Sequence, residues 1–554
     1  MFGVVQTIAL GSQLPTITGE LTITGPGQDL LTIDAGDGTN NLPGDGDGVR
    51  IFDIDDGTGA EIDVELIGLT LTGGDIVGSL GDGGGAIRSL ENLTLTGSTV
   101  SGNSTTGTLA YGGGIFAGGD LALTDSTISG NTTAGLSAYG GGIFAEGDVT
   151  LTQSTVSENS TTGDVSIGGG IFARGAVTLT QSTVSGNSTS RSSAGAGGIF
   201  ASGAVTLTQS TVSGNSTTGS DAHGGGISSV GAVTLTHSTV SGNSTSGSPA
   251  DGGGIFAFGA VALTHSIVAG NTAGVSGPDL RPGTGTPTVN YSLIGDNAGT
   301  SLVEAQTADA GGNLIGSAAG SGIIDPLLAP LADNGGPTET HAPQVGSPAI
   351  DMGDTGFTSP PDYDQRGFAF DRVVGGRIDI GAVESGAVSA DFDLDGVVSG
   401  FDFLLWQIGF GATGTAVHGD GDANIDSDVD GTDLSVWELQ FGTAAPLAAA
   451  TSALIATEPA SQPSLTSGEL ADVALAVALG EEADGLSGER EFELHSRALE
   501  FFSAEPIGRS DMQPASSFSS PANTSATSTQ ETESPDWLIL WEDAVDEVFA
   551  SVFK

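Results

Sequence analysis

Apolar and polar residues alternate along this chain in short phrases that return every 28 residues. The Ile of G-G-G-I-F and its variants falls at Ile115, Ile143, Ile171, Ile199, Ile227 and Ile255, and Ile87 extends the series backwards. Leu95, Leu123, Leu151, Leu179, Leu207, Leu235 and Leu263 keep the same interval, as do Val100, Ile128, Val156, Val184, Val212, Val240 and Val268. Each unit carries three apolar-alternating segments, I-F-A, V-T-L-T and S-T-V-S, separated by glycine or asparagine. Segments this short, with a period of two and Gly/Asn punctuation, predict strands and not helices. One unit cannot bury its own apolar face. Stacked units can, with equivalent residues ~4.8 Å apart in the hydrogen-bonding direction. The pattern predicts a mainly β fold: each unit is one coil of a parallel β-helix, and Ile, Leu and Val columns fill its bore.

Two polar columns share the period. Asn103, Asn131, Asn159, Asn187, Asn215, Asn243 and Asn271 read as a turn ladder, because Asn tolerates the left-handed conformation and stacked amides bond to each other and to backbone. Glycosylation of the N-S-T triplets is the other reading. The second column is Asp125, Gln153, Gln181, Gln209, His237 and His265. Its Thr and Ser neighbours predict an outward, solvated ladder, with a metal or sugar site at the stacked histidines as the alternative. Residues 14–34 and 50–72 contain L-T-I-T, L-L-T-I, I-F-D-I and L-T-L-T, the pattern of less regular first coils. The chain thus starts inside strand-like sequence. An uncapped solenoid end is an aggregation liability, which leads to the expectation that Met1 is not the true start and that a signal sequence and a first coil lie upstream.

Composition narrows the function. The chain has 554 residues, with 67 Asp+Glu against 12 Lys+Arg, a formal charge of −55, and its only lysine is Lys554. Affinity for phosphate backbones comes from Lys and Arg, so nucleic acid is excluded as a partner, and adhesion to anionic lipid is disfavoured. Spare carboxylates suit hard cations such as calcium. Cysteine is absent, which removes disulfides, thiol catalysis and zinc–thiolate sites. No run reaches the ~18–20 apolar residues of a membrane span.

At Asp391 the pattern changes. Asp391, Asp393, Asp395, Ser399 and Asp402 stand at positions 1, 3, 5, 9 and 12 of a loop, with Gly396 at 6 and the carbonyl of Val397 at 7. Alternate residues of a tight loop converge on one ion, and calcium takes about seven oxygens. A second loop places Asp422, Asn424, Asp426, Asp428, Asp430 and Asp433 at positions 1, 3, 5, 7, 9 and 12, with Ser427 where the turn glycine stood. A non-Gly residue at positive φ costs about 1 kcal/mol, so the second site is expected to be the weaker. Each loop precedes an amphipathic segment predicted as a helix. Asp391/Asp422, Trp406/Trp437 and Phe410/Phe441 are each 31 apart, so this is a duplicated loop–helix unit whose tryptophans form a small core.

Four resemblances follow from these residues. The 28-residue coils resemble the right-handed β-helix repeats of large bacterial surface proteins, and the pairing of G-G-G-I with S-G-N resembles repeats of polymorphic outer membrane proteins. Asp325-Pro326-Leu327-Leu328, Asn334-Gly335-Gly336-Pro337-Thr338, Thr340-His341, Gly346 to Asp351, Asp364 to Gly367 and Asp379 to Glu384 are similar to the choice-of-anchor Q domain. That resemblance implies export and placement at a surface. His341, Asp351 and Arg366 are the residues there from which a catalytic set could be drawn. The loop–helix pair resembles a type I dockerin, in the form common in planctomycete-like bacterial proteins. This implies calcium-dependent folding and a cohesin-like partner, although the 31-residue spacing exceeds the usual duplication and paired Ser/Thr recognition residues are not evident.

The resulting division is a β-helix over 1–310, with the most regular repeats over about 87–275, and a choice-of-anchor Q-like region over 311–386. A dockerin-like calcium module follows over 388–443, then a linker over 444–467 and an acidic tail with helical segments over 468–554. The expected function is an extracellular or cell-surface calcium-binding β-helix protein for binding, adhesion or assembly, with a cohesin-like protein or a surface polysaccharide as partner. The alternative is a carbohydrate-active enzyme, a polysaccharide lyase or glycoside hydrolase, on the same scaffold. Lysis needs a basic residue beside carboxylate-held calcium and hydrolysis needs a close carboxylate pair. The regular array offers only Arg88, Arg174 and Arg191 and no dense acidic patch, which favours the non-enzymatic reading.

Overall fold

The structure is a computed structural model. It describes residues 4–441 except 37–47, 59–60, 79–81, 192–194, 221, 345, 369, 375, 386–389, 394–396, 415, 417 and 424–427. The linker and acidic tail expected after residue 443 lie outside the described residues.

One coil shows how the repeat folds. It runs through β1 (Ile115–Ala117), β2 (Leu121–Thr124), β3 (Thr127–Ser129) and β4 (Thr132–Ala134). Each strand pairs in parallel with its counterpart 28 residues on: Ile115 with Ile143, Leu123 with Leu151, Ile128 with Val156 and Thr133 with Thr161. Among the described residues, stacking yields four long parallel sheets of nine, ten, twelve and seven strands, a β-solenoid of about ten coils. The less regular flank obeys the same rule, with Leu21–Thr24 on Asp63–Ile67 and Phe52–Ile54 on Ile87–Ser89.

Side chains alternate in and out because the strand period is two. In the next coil Ile143, Val149, Leu151 and Val156 all point into the bore and are fully buried. Burying such side chains is worth about 1.5–3 kcal/mol each, and the columns continue unbroken along the axis. No described helix is long and apolar enough to cross a membrane.

Four details differ from the sequence reading. The coil has a fourth strand, β4, because S-T-T continues in extended form after the Asn corner and finds identical neighbours above and below. The Asn residues do not adopt positive φ. The preceding residue does, at Gly130 (φ 62°), Gly186 (65°) and Glu158 (58°), so Asn is selected for its amide alone. The left-handed corner between β2 and β3 belongs instead to the second polar column: Asp125, Gln153, Gln181, Gln209, His237 and His265 have φ between 47° and 49°.

The fourth difference is that this column is not solvated throughout: Gln209, His237 and His265 are buried. The described residues of 326–384 form an irregular strap that lies along the outer face of the β3 sheet. Thr127 and Thr155, on the uncovered coils, are partly exposed, whereas Thr183, Thr211 and Thr239 are buried beneath the strap. The hydroxyls of Thr183 and Thr211 donate to the carbonyl of Glu339 and to Oε1 of Gln365, each at 2.7 Å. Thr239 Oγ1 accepts from the N–H of Ala382 at 3.1 Å. At the last coils Ile267, Ala269 and Leu293 pack with Ala349 and Ile380 of the strap.

Outside the bore, the Phe of I-F-A faces outward and is covered. Phe116, Phe144, Phe172 and Phe200 stack at 5.0–5.2 Å between ring centres, and Tyr111 lies on Phe144 at 4.4 Å. The triple glycine is required by contact. A Cβ on Gly142 would sit 2.8 Å from Cγ of Asn159, and one on Gly141 would overlap the carbonyl of Gly169 in the next coil.

Candidate functional site

The duplicated acidic loops each end in a helix, α1 (Gly400–Gly409) and α2 (Gly431–Gln440), as the amphipathic pattern predicts. Residue 9 of each loop caps its helix. Ser399 Oγ accepts the N–H of Phe401 at 3.1 Å, and Asp430 Oδ1 accepts that of Thr432 at 2.7 Å. Residue 12 completes a capping box: Asp402 accepts the N–H of Ser399 at 2.7 Å, and Asp433 that of Asp430 at 2.8 Å. The same carboxylates reach back to residue 2 of their loops, at Phe392 (2.7 Å) and Ala423 (2.8 Å). Two loops of different sequence therefore close in the same way.

The halves also interlock. Trp406 Nε1 donates to the carbonyl of Asp430 at 2.8 Å, and Trp437 Nε1 donates to the carbonyl of Ser399 at 2.7 Å. Each indole thus satisfies the cap residue of the other loop. Both rings are buried and both approach Phe403, at 5.6 and 5.0 Å. The tryptophans are core, as expected, and they couple the shape of one loop to the other.

In the first loop Asp391, Asp393 and Asp402 bring carboxylate oxygens within 4.8 Å of one another. Asp391 and Asp402 are buried, and burial pushes the Asp402 carboxyl above the usual carboxylate range. Asp395 lies outside the described residues, as do Asn424 and Asp426 of the second loop. The donor set fits a hard cation: oxygens only, converging, with more negative charge than the backbone N–H groups neutralise. In the second loop Asp422 and Asp433 are both buried. Asp428 Oδ1 accepts the N–H of Gly414 at 2.7 Å, and the residue stands at the loop position where Val397 was given a carbonyl role in loop one. The side chains of Ser399 and Asp430 are engaged as helix caps.

The other candidate residues are each engaged by partners of their own. Both ring nitrogens of His341 are engaged, Nε2 with Ser213 Oγ and Nδ1 with the carbonyl of Ala329, each at 2.7 Å. Arg366 forms an ion pair with Asp364 at 2.6 Å and lies over Phe370, while Asp351 uses its N–H on Asp379. These are contacts that fix the strap. The stacked histidines, 4.9 Å apart, serve it too. His237 Nδ1 meets Nη2 of Arg372 at 3.0 Å, and His265 Nε2 accepts the N–H of Asp354 at 3.1 Å. Burial, reinforced by Arg372, lowers His237 to about 2 and His265 to about 4, so both are neutral.

Sequence reasoning missed the buried ionic group behind them. Arg372 is fully buried and donates to the carbonyls of Asp379 (3.0 Å) and Gly381 (2.8 Å). Burial lowers its affinity for the proton and raises that of Glu384 to about 8. The available signal was local. The outward Thr and Ser of S-T-V-S become Ile267 and Ala269 in the last full coil, which marks a face that something apolar covers. A third acidic group, Asp55, Asp56 and Glu91, was also missed. Glu91 uses its oxygens on the N–H groups of Asp56 (3.2 Å) and Ile62 (3.1 Å) and so ties down the 55–62 loop.

Comparison with known proteins supports the solenoid. Residues 91–324 match the family model described as right handed beta helix region. No curated protein and no solved structure matches the chain.

Proposed function

We propose that this is an exported, calcium-binding β-helix protein that presents its solenoid at a cell surface or in the extracellular space for binding, adhesion or assembly, with the loop–helix pair acting as a dockerin-like module. The observation that carries the reading is the convergence of Asp391, Asp393 and Asp402 in a loop that closes as its duplicate does. Calcium would be held in loop one by those carboxylates, Asp395 and the carbonyl of Val397. In loop two it would be held by Asp422, Asn424, Asp426, Asp433 and the carbonyl of Asp428. The ion supplies the positive charge that lets several carboxylates share a small, partly buried loop. Because each indole bonds the opposite cap, filling one loop orders the other half of the module.

The test is calorimetric titration of the full chain with calcium, followed by tryptophan fluorescence. Saturable binding that Asp402→Asn weakens at least tenfold supports the reading. Absence of calcium binding at millimolar concentration defeats it. Retention of a cohesin-like protein only when calcium is present would establish the module's partner. The competing reading, a carbohydrate-active enzyme on the solenoid, is tested on acidic and neutral polysaccharides, where new reducing ends or unsaturated products would replace the adhesive reading with a catalytic one.

A further inference from the structure

The inward polar columns of the regular coils differ in how their side chains are bonded. In the Ser column, Ser126 Oγ donates to the carbonyl of Thr124 at 2.8 Å and accepts the N–H of Ser98 at 3.1 Å, and later coils repeat this. In the Asn column every amide reaches the next. A third column, the middle residue of β4 and its equivalents, is unlike these two. The hydroxyls of Thr105, Thr133, Thr161, Thr189, Thr217 and Thr245 are buried and have no hydrogen-bond partner in the protein.

These six residues pair in direct register from coil to coil. Equivalent oxygens therefore recur at the strand spacing, parallel to the axis. A buried hydroxyl without a partner costs stability, and Val has nearly the same shape without that cost. Six repeats nonetheless carry Thr, while Ile76 occupies the register position before Thr105. On the limb that follows β4, one column of buried residues at the 28-residue interval is small: Ala110, Ala138, Ser166, Ala222 and Ala250.

We propose that the threonine column holds a file of ordered water molecules, one between each pair of successive hydroxyls. The spacing suits the ligand. Two hydrogen bonds of ~2.8 Å spanning ~4.8 Å meet at about 118°, close to the tetrahedral preference of water. Each hydroxyl donates to one water and accepts from the next, so the file runs through the coils as the amide ladder does. Ile76 has no hydroxyl and ends the file on the N-terminal side. Buried water of this kind is part of the fold and gains its place from two to four polar partners.

The test uses isosteric substitutions in the full chain. Thr161→Val and Thr189→Val each remove a hydroxyl that two waters share, so each lowers the thermal midpoint. The pair shares one water, so the loss in the double variant is smaller than the sum. Thr105→Val and Thr245→Val, at opposite ends, add. High-resolution diffraction shows single waters between successive Thr Oγ1 atoms, and these vanish beside a valine. A midpoint that rises or stays unchanged on Thr→Val overturns the proposal. So does strict additivity of the neighbouring pair, or density without those waters.

Discussion

The amide ladder allows one substitution to be worked through in detail, at Asn187. Its Oδ1 accepts both the N–H and Nδ2 of Asn159, each at 2.9 Å. Its Nδ2 donates to the carbonyls of Val156 (2.9 Å) and Ser185 (3.0 Å) and to Oδ1 of Asn215 (2.9 Å). Asn187→Ala leaves the buried N–H of Asn159 without this acceptor, at about 1–3 kcal/mol, and the lost amide bonds with the small void add about 1–2 kcal/mol. Asn187→Asp separates donor from acceptor. One carboxylate oxygen keeps the bonds from Asn159, while the other faces three acceptors and needs a proton to bond them. The folded pKa is then raised above the unfolded ~3.9, and the sign follows. Below pH ~4 both states hold the proton and the variant is near its best. As pH rises the unfolded chain ionises first, and stability falls by about 1.4 kcal/mol per unit until the folded pKa is reached, up to about 4 kcal/mol by pH 7. The assay is urea unfolding followed by circular dichroism at pH 4 and pH 7, each read as variant minus parent. Hydrogen exchange at the neighbouring coils keeps the readout local, because repeat arrays need not unfold in one step. Equal deficits of Asn187→Asp at the two pH values, or an Asn187→Ala deficit under about 0.5 kcal/mol, would refute the role given to the amide.

Other outcomes follow from the same geometry. Asp279 ends the ladder as a pure acceptor, taking the N–H and Nδ2 of Asn271 at 3.0 and 2.9 Å and the N–H of Asp296 at 2.7 Å. Asp279→Asn turns a donor towards a donor and lowers stability by about 1–3 kcal/mol in urea melts. Gly141→Ala, which drives a methyl into the carbonyl of Gly169, destabilises by at least about 1–3 kcal/mol and increases proteolysis at the 135–142 limb. Glu384, raised by burial from 4.5 to about 8, binds its proton more tightly when folded. Its contribution is complete below pH ~4.5, declines as pH rises and is lost by about 8. Glu384→Gln flattens that part of the pH–stability curve, read from the urea midpoints.

The solenoid was legible because every coil repeats the same local instruction. Ile115, Leu123 and Ile128 announce their partners by recurring 28 residues later, so period fixes register. The fourth strand was not legible: S-T-T has no apolar alternation, and only identical neighbours make it extended. The Asn column was recognised, but its corner was assigned one residue late, since Gly130 and not Asn131 takes the left-handed turn. The two acidic loop–helix units were legible in spacing. That Asp428 turns its carboxylate to Gly414 was not, because this choice depends on a backbone N–H fourteen residues away.

The sequence by itself determined the strand order, the register and the residues that fill the bore, because those properties rest on a translational repeat and a two-residue alternation. It also determined where acidic residues recur at alternate positions of a loop. Only the tertiary structure decided which outward face is covered. The strap has no period, and its placement rests on scattered long-range bonds such as Gln365 to Thr211 and Arg372 to His237. A column that reads as solvated in sequence is therefore solvated at Asp125 and buried at His237, although both occupy the same corner of the same coil.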